Sequence, residues 1–334
     1  MRHNDKVNNS AVGLDIGTSR ICLAQRVDEE FQYETQLNAF VTIPYSKMTE
    51  ATLKKEKVPH TVNGSEIVVH GNESDRFADV LNVETRRTMD KGLLNPAEPE
   101  GPAMLRKIVE SLVDPARDRQ KLCFTVPAAP LGAEDNLTYH EATLRRILTD
   151  LGYEVRSINE GLAVIYSELE SSNYTGIGIS CGGGLCNVSV AYLSVPVFSF
   201  SVPRAGDYID ASAAAVTGDR ANRVRIAKED SFHFNGFFTD KIQQVLGVYY
   251  DEMIQSLVQA MKQAFSNARN LPKSNRPLPI VLSGGTARPE GFRDRFEKAL
   301  RDTDLPIASN EIRLASDPLH ASARGALVAA LADA

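Results

Sequence analysis

The residues best suited to chemistry in this 334-residue chain lie on two glycine hairpins. The first reads Gly13-Leu14-Asp15-Ile16-Gly17-Thr18-Ser19-Arg20. The second runs from Gly176 to Val190 and sets three consecutive glycines, Gly182, Gly183 and Gly184, between Cys181 and Leu185. Apolar residues precede and follow both sets of glycines, which reads as strand, tight turn, strand. Glycine at such a turn permits positive φ and lets backbone N–H groups come close to a ligand. Successive N–H groups in a turn form a concavity that binds anions. Two of them in one chain point to two related halves gripping one polyphosphate.

The elements that must position these turns follow from periodicity and breakers. Strands are expected on both sides of the first hairpin over 11–27, and a third over Phe31 to Ile43. The stretch from Tyr45 to Asn63, with Lys54-Lys55-Glu56-Lys57, reads as a solvated loop or short exposed helix. A short strand over Ser65 to His70 comes next. A helix begins beside Pro102 and carries Met104, Leu105, Ile108, Val109 and Leu112 on one face. A buried strand covers Lys121 to Pro127, a helix covers Tyr139 to Leu151 with Gly152 as its C-cap, and a strand covers Tyr153 to Ile158. A helix over Glu160 to Glu170 leads into the second hairpin, whose strands are followed by another over Val195 to Val202. Helices are then expected over Asp210 to Val216 and over Phe238 to Ala268, the latter with a break near Gly247. The strand Pro277 to Leu282 runs into Ser283-Gly284-Gly285-Thr286, with helices over Gly291 to Leu300 and Ala321 to Ala332 beyond. The alternation gives an α/β class with mixed sheets. No low-complexity linker separates the halves, so they should meet across a cleft.

Composition narrows the function classes. Hydrophobic residues make up 43% and charged residues 24%, as in an ordinary soluble globular chain. A net charge of −6 argues against non-specific nucleic-acid binding. No apolar run reaches the roughly 18 residues of a membrane-spanning helix. The polar start, Met1 to Ser10, is expected to be neither a signal peptide nor an amphipathic anchor. Cys22, Cys123, Cys181 and Cys186 sit in apolar stretches and read as buried free thiols of a reducing cytoplasm. Cys181 and Cys186 straddle the glycines, but no histidine or second cysteine pair completes a zinc set.

Several motifs in order resemble the actin, DnaK-type chaperone and sugar-kinase ATPase superfamily, and within it the bacterial actin-like proteins of the MreB, MamK and FtsA type. Asp15-Ile16-Gly17-Thr18 resembles the first phosphate motif, Ser180 to Val190 the second, and Val281 to Thr286 the adenosine motif. Arg87 to Leu93, Asn159-Glu160-Gly161-Leu162-Ala163, Ala205 to Asp210 and Ala323-Arg324-Gly325-Ala326 are similar to smaller elements of the MreB branch. The resemblance covers about 11–330. It implies an actin-like ATPase fold, two related α/β lobes around a nucleotide cleft, with ATP or ADP and Mg²⁺ as cofactors. The first lobe would take 11–172 plus 314–334, with a small subdomain at about 33–84. The second would take 173–313, with a small subdomain at about 206–244. Neither a chaperone substrate domain nor an FtsA-like tail is expected after Ala334.

The resemblance assigns roles residue by residue. Asp15 would hold the water shell of Mg²⁺, a cation that takes hard oxygen ligands; the other reading is that it caps its own turn. Gly17, Thr18, Ser19 and Arg20 would meet the phosphates, as would Gly182, Gly183 and Gly184. Gly206 and Asp207 would approach the metal or phosphates. Lys228 and Glu229 would bracket the ribose, unless they are an exposed helix charge pair. Gly284, Gly285 and Thr286 would pass close to adenine. His140 or Glu141 would orient the attacking water or act as base; otherwise they are surface or packing residues. The second hairpin departs from the pattern. Ser180 stands in place of an acid, Leu185 in place of a threonine and Asn187 in place of Asp or Glu. Phosphoryl transfer depends on positioning and charge stabilisation, so binding is expected with slow or impaired hydrolysis, unless the carboxylate comes from another loop. Phe232, Phe234, Phe237, Phe238, Tyr249 and Tyr250 read as a core rather than a protomer contact.

Two functions compete on these grounds. One is a cytoplasmic, filament-forming cytoskeletal protein of the kind that serves cell shape, polymerising head to tail. The other is a non-polymerising, PilM-like nucleotide-binding adaptor with a protein partner in a cell-envelope or cytoskeletal complex. A sugar kinase ranks last, because no sugar-site motif is present.

Overall fold

The computed structural model describes residues 11–117, 120–132, 137–234, 236–238, 240–268 and 277–332. The polar start, Met1 to Ser10, lies outside these residues. The first half runs β1 (Val12–Ile16), β2 (Arg20–Val27), β3 (Glu30–Leu37), β4 (Ala39–Pro44), α1 (Lys47–Lys55), β5 (His60–Asn63), β6 (Glu66–His70), α2 (Glu73–Leu81), β7 (Arg86–Arg87), β8 (Met89–Asp90), β9 (Leu93–Leu94), α3 (Gly101–Leu112), β10 (Lys121–Val126), α4 (Leu137–Asp150), β11 (Glu154–Asn159) and α5 (Glu160–Glu168). The second runs β12 (Gly176–Cys181), β13 (Cys186–Tyr192), β14 (Val195–Val202), α6 (Gly206–Thr217), α7 (Ala221–Ser231), α8 (Lys241–Asn267), β15 (Leu278–Ser283), α9 (Phe292–Arg301), β16 (Ser309–Leu314) and α10 (Ala321–Ala332).

One sheet plan is used twice. The first five-stranded sheet has the order β11-β10-β1-β2-β3 and the second β14-β13-β12-β15-β16. Each begins with a three-strand antiparallel meander and adds two strands parallel to its first, β10 and β11 on β1, and β15 and β16 on β12. A smaller sheet, β5-β6-β4-β7, is inserted into the first half.

Between the two large sheets lie α5 and α10, whose alanines and aliphatic residues share one buried cluster with β2, β10, β11, β13 and β15. Glycine makes this layer possible. A Cβ on Gly13 of β1 would fall 2.2 Å from the Ala323 carbonyl of α10, and one on Gly178 of β12 would fall 2.1 Å from the Gly161 carbonyl of α5. Helix and strand backbones touch at equivalent places in both halves. The outer faces are covered by α3 and α4 on the first sheet and by α6, α8 and α9 on the second.

Several local expectations change. The strand expected over Phe31 to Ile43 is two strands in two sheets, β3 and β4, separated at Asn38. Asn38 is fully buried, donates to the Gly17 carbonyl at 2.9 Å and accepts from Thr88 Oγ1 at 2.5 Å, so it fastens the first hairpin where the chain changes sheet. The break expected near Gly247 is absent: α8 is continuous, because its buried face (Leu246, Tyr250, Met253, Ile254, Leu257) outweighs about 1 kcal/mol of glycine propensity. The stretch from Tyr45 to Asn63 holds the short helix α1, as one of its two readings had it, with Ser46 accepting from the Thr49 amide as N-cap, but it ends in the strand β5. Of the aromatic cluster, Phe232 and Tyr250 are core residues, whereas Phe237 is fully exposed.

Candidate functional site: a cavity between two glycine hairpins

The first hairpin turns tightly after Asp15, closed by the Gly17 N–H donating to the Arg20 carbonyl at 3.0 Å. Thr125, near the end of the neighbouring β10, holds it from the side: its hydroxyl donates to Asp15 Oδ1 at 2.5 Å and accepts from the Ile16 amide at 3.3 Å. In the second hairpin the Gly182 N–H donates to the Leu185 carbonyl at 3.0 Å. Its carbonyls are tied back to the next elements. Gly182 O accepts from the Gly206 amide at 3.1 Å and from Thr286 Oγ1 at 2.8 Å, and Gly183 O accepts from the Asp207 amide at 2.8 Å.

The two turns face each other. A Cβ on Gly183 would lie 3.0 Å from Ser19 Cβ, and one on Gly184 would lie 2.4 Å from Thr18 Oγ1. Thr18 also accepts from the Gly92 amide at 3.0 Å. Leu185 is buried and packs against Gly92, whose φ of +79° and missing Cβ leave room for the side chain. Where the resemblance would place a phosphate-facing threonine, this chain has an apolar contact across the cleft.

Beyond the turns opens a cavity of about 680 Å³, within the usual range of small-molecule sites. Asp15, Gly17, Thr18, Ser19 and Arg20 line it from the first half. Gly182, Gly183, Gly184, Asp207, Lys228, Glu229, Gly284, Gly285 and Thr286 line it from the second. Gly206 stands just behind, its carbonyl accepting from Lys228 Nζ at 3.2 Å. Lys228 is buried and pairs with Asp210 at 2.8 Å, so it is not an exposed helix charge. Arg20 and Glu229 meet across the cleft at 2.6 Å. Arg225 also bridges the halves, reaching Glu229 at 3.2 Å and Asp75 of α2. Burial pushes the Glu229 carboxyl up, but the Arg20 and Arg225 guanidiniums outweigh it and hold the group below its ordinary value.

His140 and Glu141 do not line the cavity. His140 belongs to the buried stripe of α4 with Leu144, Ile147 and Leu148. Its Nδ1 accepts from the Leu94 amide at 3.2 Å, and burial pushes its pKa down to about 4. Glu141 is held by Arg145 at 2.7 Å and by the Ser157 hydroxyl at 2.7 Å.

The acid the sequence reading missed is Glu160, the first residue of α5. It is buried and lines the cavity. Asn187 Nδ2 donates to its Oε2 at 2.8 Å and the Ser180 side chain bonds it as well. The two polar residues that replace acids on the second hairpin are thus the partners of a carboxylate supplied by another element. Burial, then repulsion from Asp15, pushes Glu160 up to about 8. Burial pushes Asp15 up to about 6, against the Thr125 hydrogen bond and the nearby His320. A signal was present in the sequence: a hairpin stripped of acids, and a glutamate in a motif already similar to a family element.

A family model described as Volactin matches residues 10–330. The chain belongs to the volactin family. No curated protein matches it. Solved structures share its fold from end to end. The MamK double helical filament is 17% identical over 97% of this chain and 98% of that one, with a TM-score of 0.69. The ethanolamine utilization protein EutJ from Carboxydothermus hydrogenoformans is 16% identical over 95% and 89%, at 0.55. A non-polymerising point mutant of MamK bound to AMPPNP is 17% identical over 96% and 98%, also at 0.55. The fold is therefore that of the actin-like ATPases, as the motif order implied. Among the described residues no helix is long and apolar enough to cross a membrane.

Proposed function

We propose that this chain is a cytoplasmic, actin-like protein that binds ATP or ADP with Mg²⁺ between two lobes and assembles with its own copies into filaments, hydrolysing the nucleotide slowly. The observation that carries the reading is the opposition of the two glycine hairpins across one cavity. Backbone turns of this kind suit a polyphosphate, which needs many N–H donors at close range. The lobes are proposed at 11–172 with 314–334 and at 173–313. That MamK forms a double helical filament, and that its mutant binds AMPPNP, supports the analogy.

The residues fit the proposed cofactors. Mg²⁺ keeps several waters and takes one or two carboxylates plus phosphate oxygens, and Asp15 lines the cavity beside the first glycine turn. Asp15 would hold those waters, and bound Mg²⁺ would offset phosphate charge. Thr18, Ser19 and Arg20 would orient the phosphates from one side and Gly182 to Gly184 from the other. Lys228 and Glu229 would hold the sugar, with Gly284 to Thr286 beside the base. Glu160, rather than His140 or Glu141, would orient the attacking water. Leu185 contributes no hydroxyl, which is consistent with slow turnover. It also favours the second reading, a non-polymerising adaptor whose shape a partner protein of an envelope or cytoskeletal complex recognises.

Thermal melting with ATP, ADP and GTP, with and without Mg²⁺, tests binding, since a ligand stabilises by RT ln(1 + [L]/Kd). Light scattering and electron microscopy with ATP and Mg²⁺ test assembly. Persistent monomers across salt and concentration would reject filaments and leave the adaptor. Absence of any nucleotide-dependent melting shift would reject both.

A further inference from the structure

We propose that the Tyr250 hydroxyl reads the sugar of the bound nucleotide, making Tyr250 a specificity-determining residue for ribose over deoxyribose; this rests on the nucleotide-binding reading above. Tyr250 lies on α8, is fully buried and lines the cavity. Its ring is fixed on several sides. It stacks on Phe232 with centroids 4.9 Å apart and planes 1° from parallel, and meets Phe234 and Phe292 edge-on at 5.2 and 6.2 Å. A ring held this way places its hydroxyl at a set point. Among the described residues that hydroxyl has no hydrogen-bond partner. Buried tyrosine hydroxyls usually find one, and leaving a buried donor unmet is costly. The packing alone would be served by phenylalanine, as at its three aromatic neighbours.

The chemistry of the cavity wall narrows the missing partner. Burial and the carboxylates of Asp210 and Glu229 hold the phenol far above its ordinary pKa, so it stays an O–H donor. Those carboxylates also line the cavity, and when ionised they only accept. A ligand group in this corner is therefore asked to accept from Tyr250 and to donate towards a carboxylate. Phosphate oxygens and unprotonated ring nitrogens only accept, and a phosphate is repelled by the acids. An exocyclic amine donates but is a poor acceptor. A hydroxyl does both, and a nucleotide carries its hydroxyls on the sugar. A site built to hydrogen-bond a hydroxyl discriminates against the analogue that lacks it.

The test is isothermal titration of the full chain with ATP, 2′-deoxyATP and 3′-deoxyATP, for the wild type and for Tyr250→Phe. Phenylalanine keeps the ring and its stacking, and a thermal melt verifies that the variant is folded. The wild type is expected to bind ATP about 10-fold more tightly than at least one deoxy analogue. Tyr250→Phe is expected to weaken ATP by about 3- to 10-fold while leaving that analogue unchanged, so that the preference collapses. The analogue that loses its preference identifies the hydroxyl. A purely structural role would weaken all three nucleotides alike, and that result, or an unchanged preference, overturns the assignment of Tyr250 while leaving nucleotide binding intact. Failure of the wild type to bind any of the three overturns both.

Discussion

Replacing Glu160 with glutamine should make the protein more stable in alkaline solution and no different in acid. Glu160 is pushed from the ordinary glutamate value of 4.5 up to about 8 in the folded protein. The folded state therefore keeps a proton that the unfolded chain gives up as pH rises through 4.5. The stability that this proton contributes is complete below that value, falls steadily as pH rises, and is gone above about 8. At roughly 1.4 kcal/mol per pH unit the window spans at most about 5 kcal/mol, part of which belongs to Asp15 through their mutual repulsion. Glutamine has the same shape and carries no charge at any pH. Asn187 can still donate to its oxygen, and its amide can donate to Ser180. Denaturant or thermal unfolding in nucleotide-free, Mg²⁺-free buffer is the assay. Wild type and Glu160→Gln should unfold alike at about pH 4, below the ordinary glutamate value, and the variant should be more stable by about 2 kcal/mol or more at about pH 8.5. The same variant should hydrolyse ATP at least about 10²-fold more slowly, as expected when a group that positions the attacking water is lost. A stability difference that is constant with pH, or a variant less stable at pH 8.5, would refute the claim that this carboxyl is protonated in the folded protein.

Three other variants probe the fold and the cleft. Arg225→Ala leaves Asp75 and Glu229 short of a buried cation, so unfolding free energy should fall by about 3–5 kcal/mol, and a double-mutant cycle with Asp75→Ala should show strong coupling. Gly325→Ala would put a methyl 1.7 Å from the Ala163 carbonyl; a backbone cannot yield that far, so the variant should lose several kcal/mol or fail to fold, read by circular dichroism and soluble yield. Ser180→Asp with Leu185→Thr restores the family's polar hairpin and should raise phosphate release, with a melting temperature that depends on Mg²⁺ because the introduced carboxylate would adjoin Glu160; unchanged turnover would count against the hairpin reading.

Much of the fold was legible because its signals are local. The glycine turns, the apolar strands beside them and the one-sided helices α3 and α9 depend on residues a few places apart, and they sit where the pattern implied. What was not legible depends on distant contacts. Asn38 looks like one more polar residue in a strand-like run, and its meaning comes from the Gly17 carbonyl and Thr88 that enclose it. Gly247 looks like a helix break until the packing of α8 is known. His140 is one member of an apolar stripe, a pattern the helix already showed at Leu144, Ile147 and Leu148. Glu160 could not be placed from its neighbours, because its partners come from a strand pair further along the chain, with Asn187 separated from it by 27 residues.

The crossing of α5 with α10 has a mechanical consequence. At Gly325 main chain lies directly on main chain, so the two helices sit closer there than any side chain would permit, and the alanines and aliphatic residues around the contact lock them together. A turn of one helix on the other would have to break this packing, so the pair acts as one stiff spar between the two large sheets.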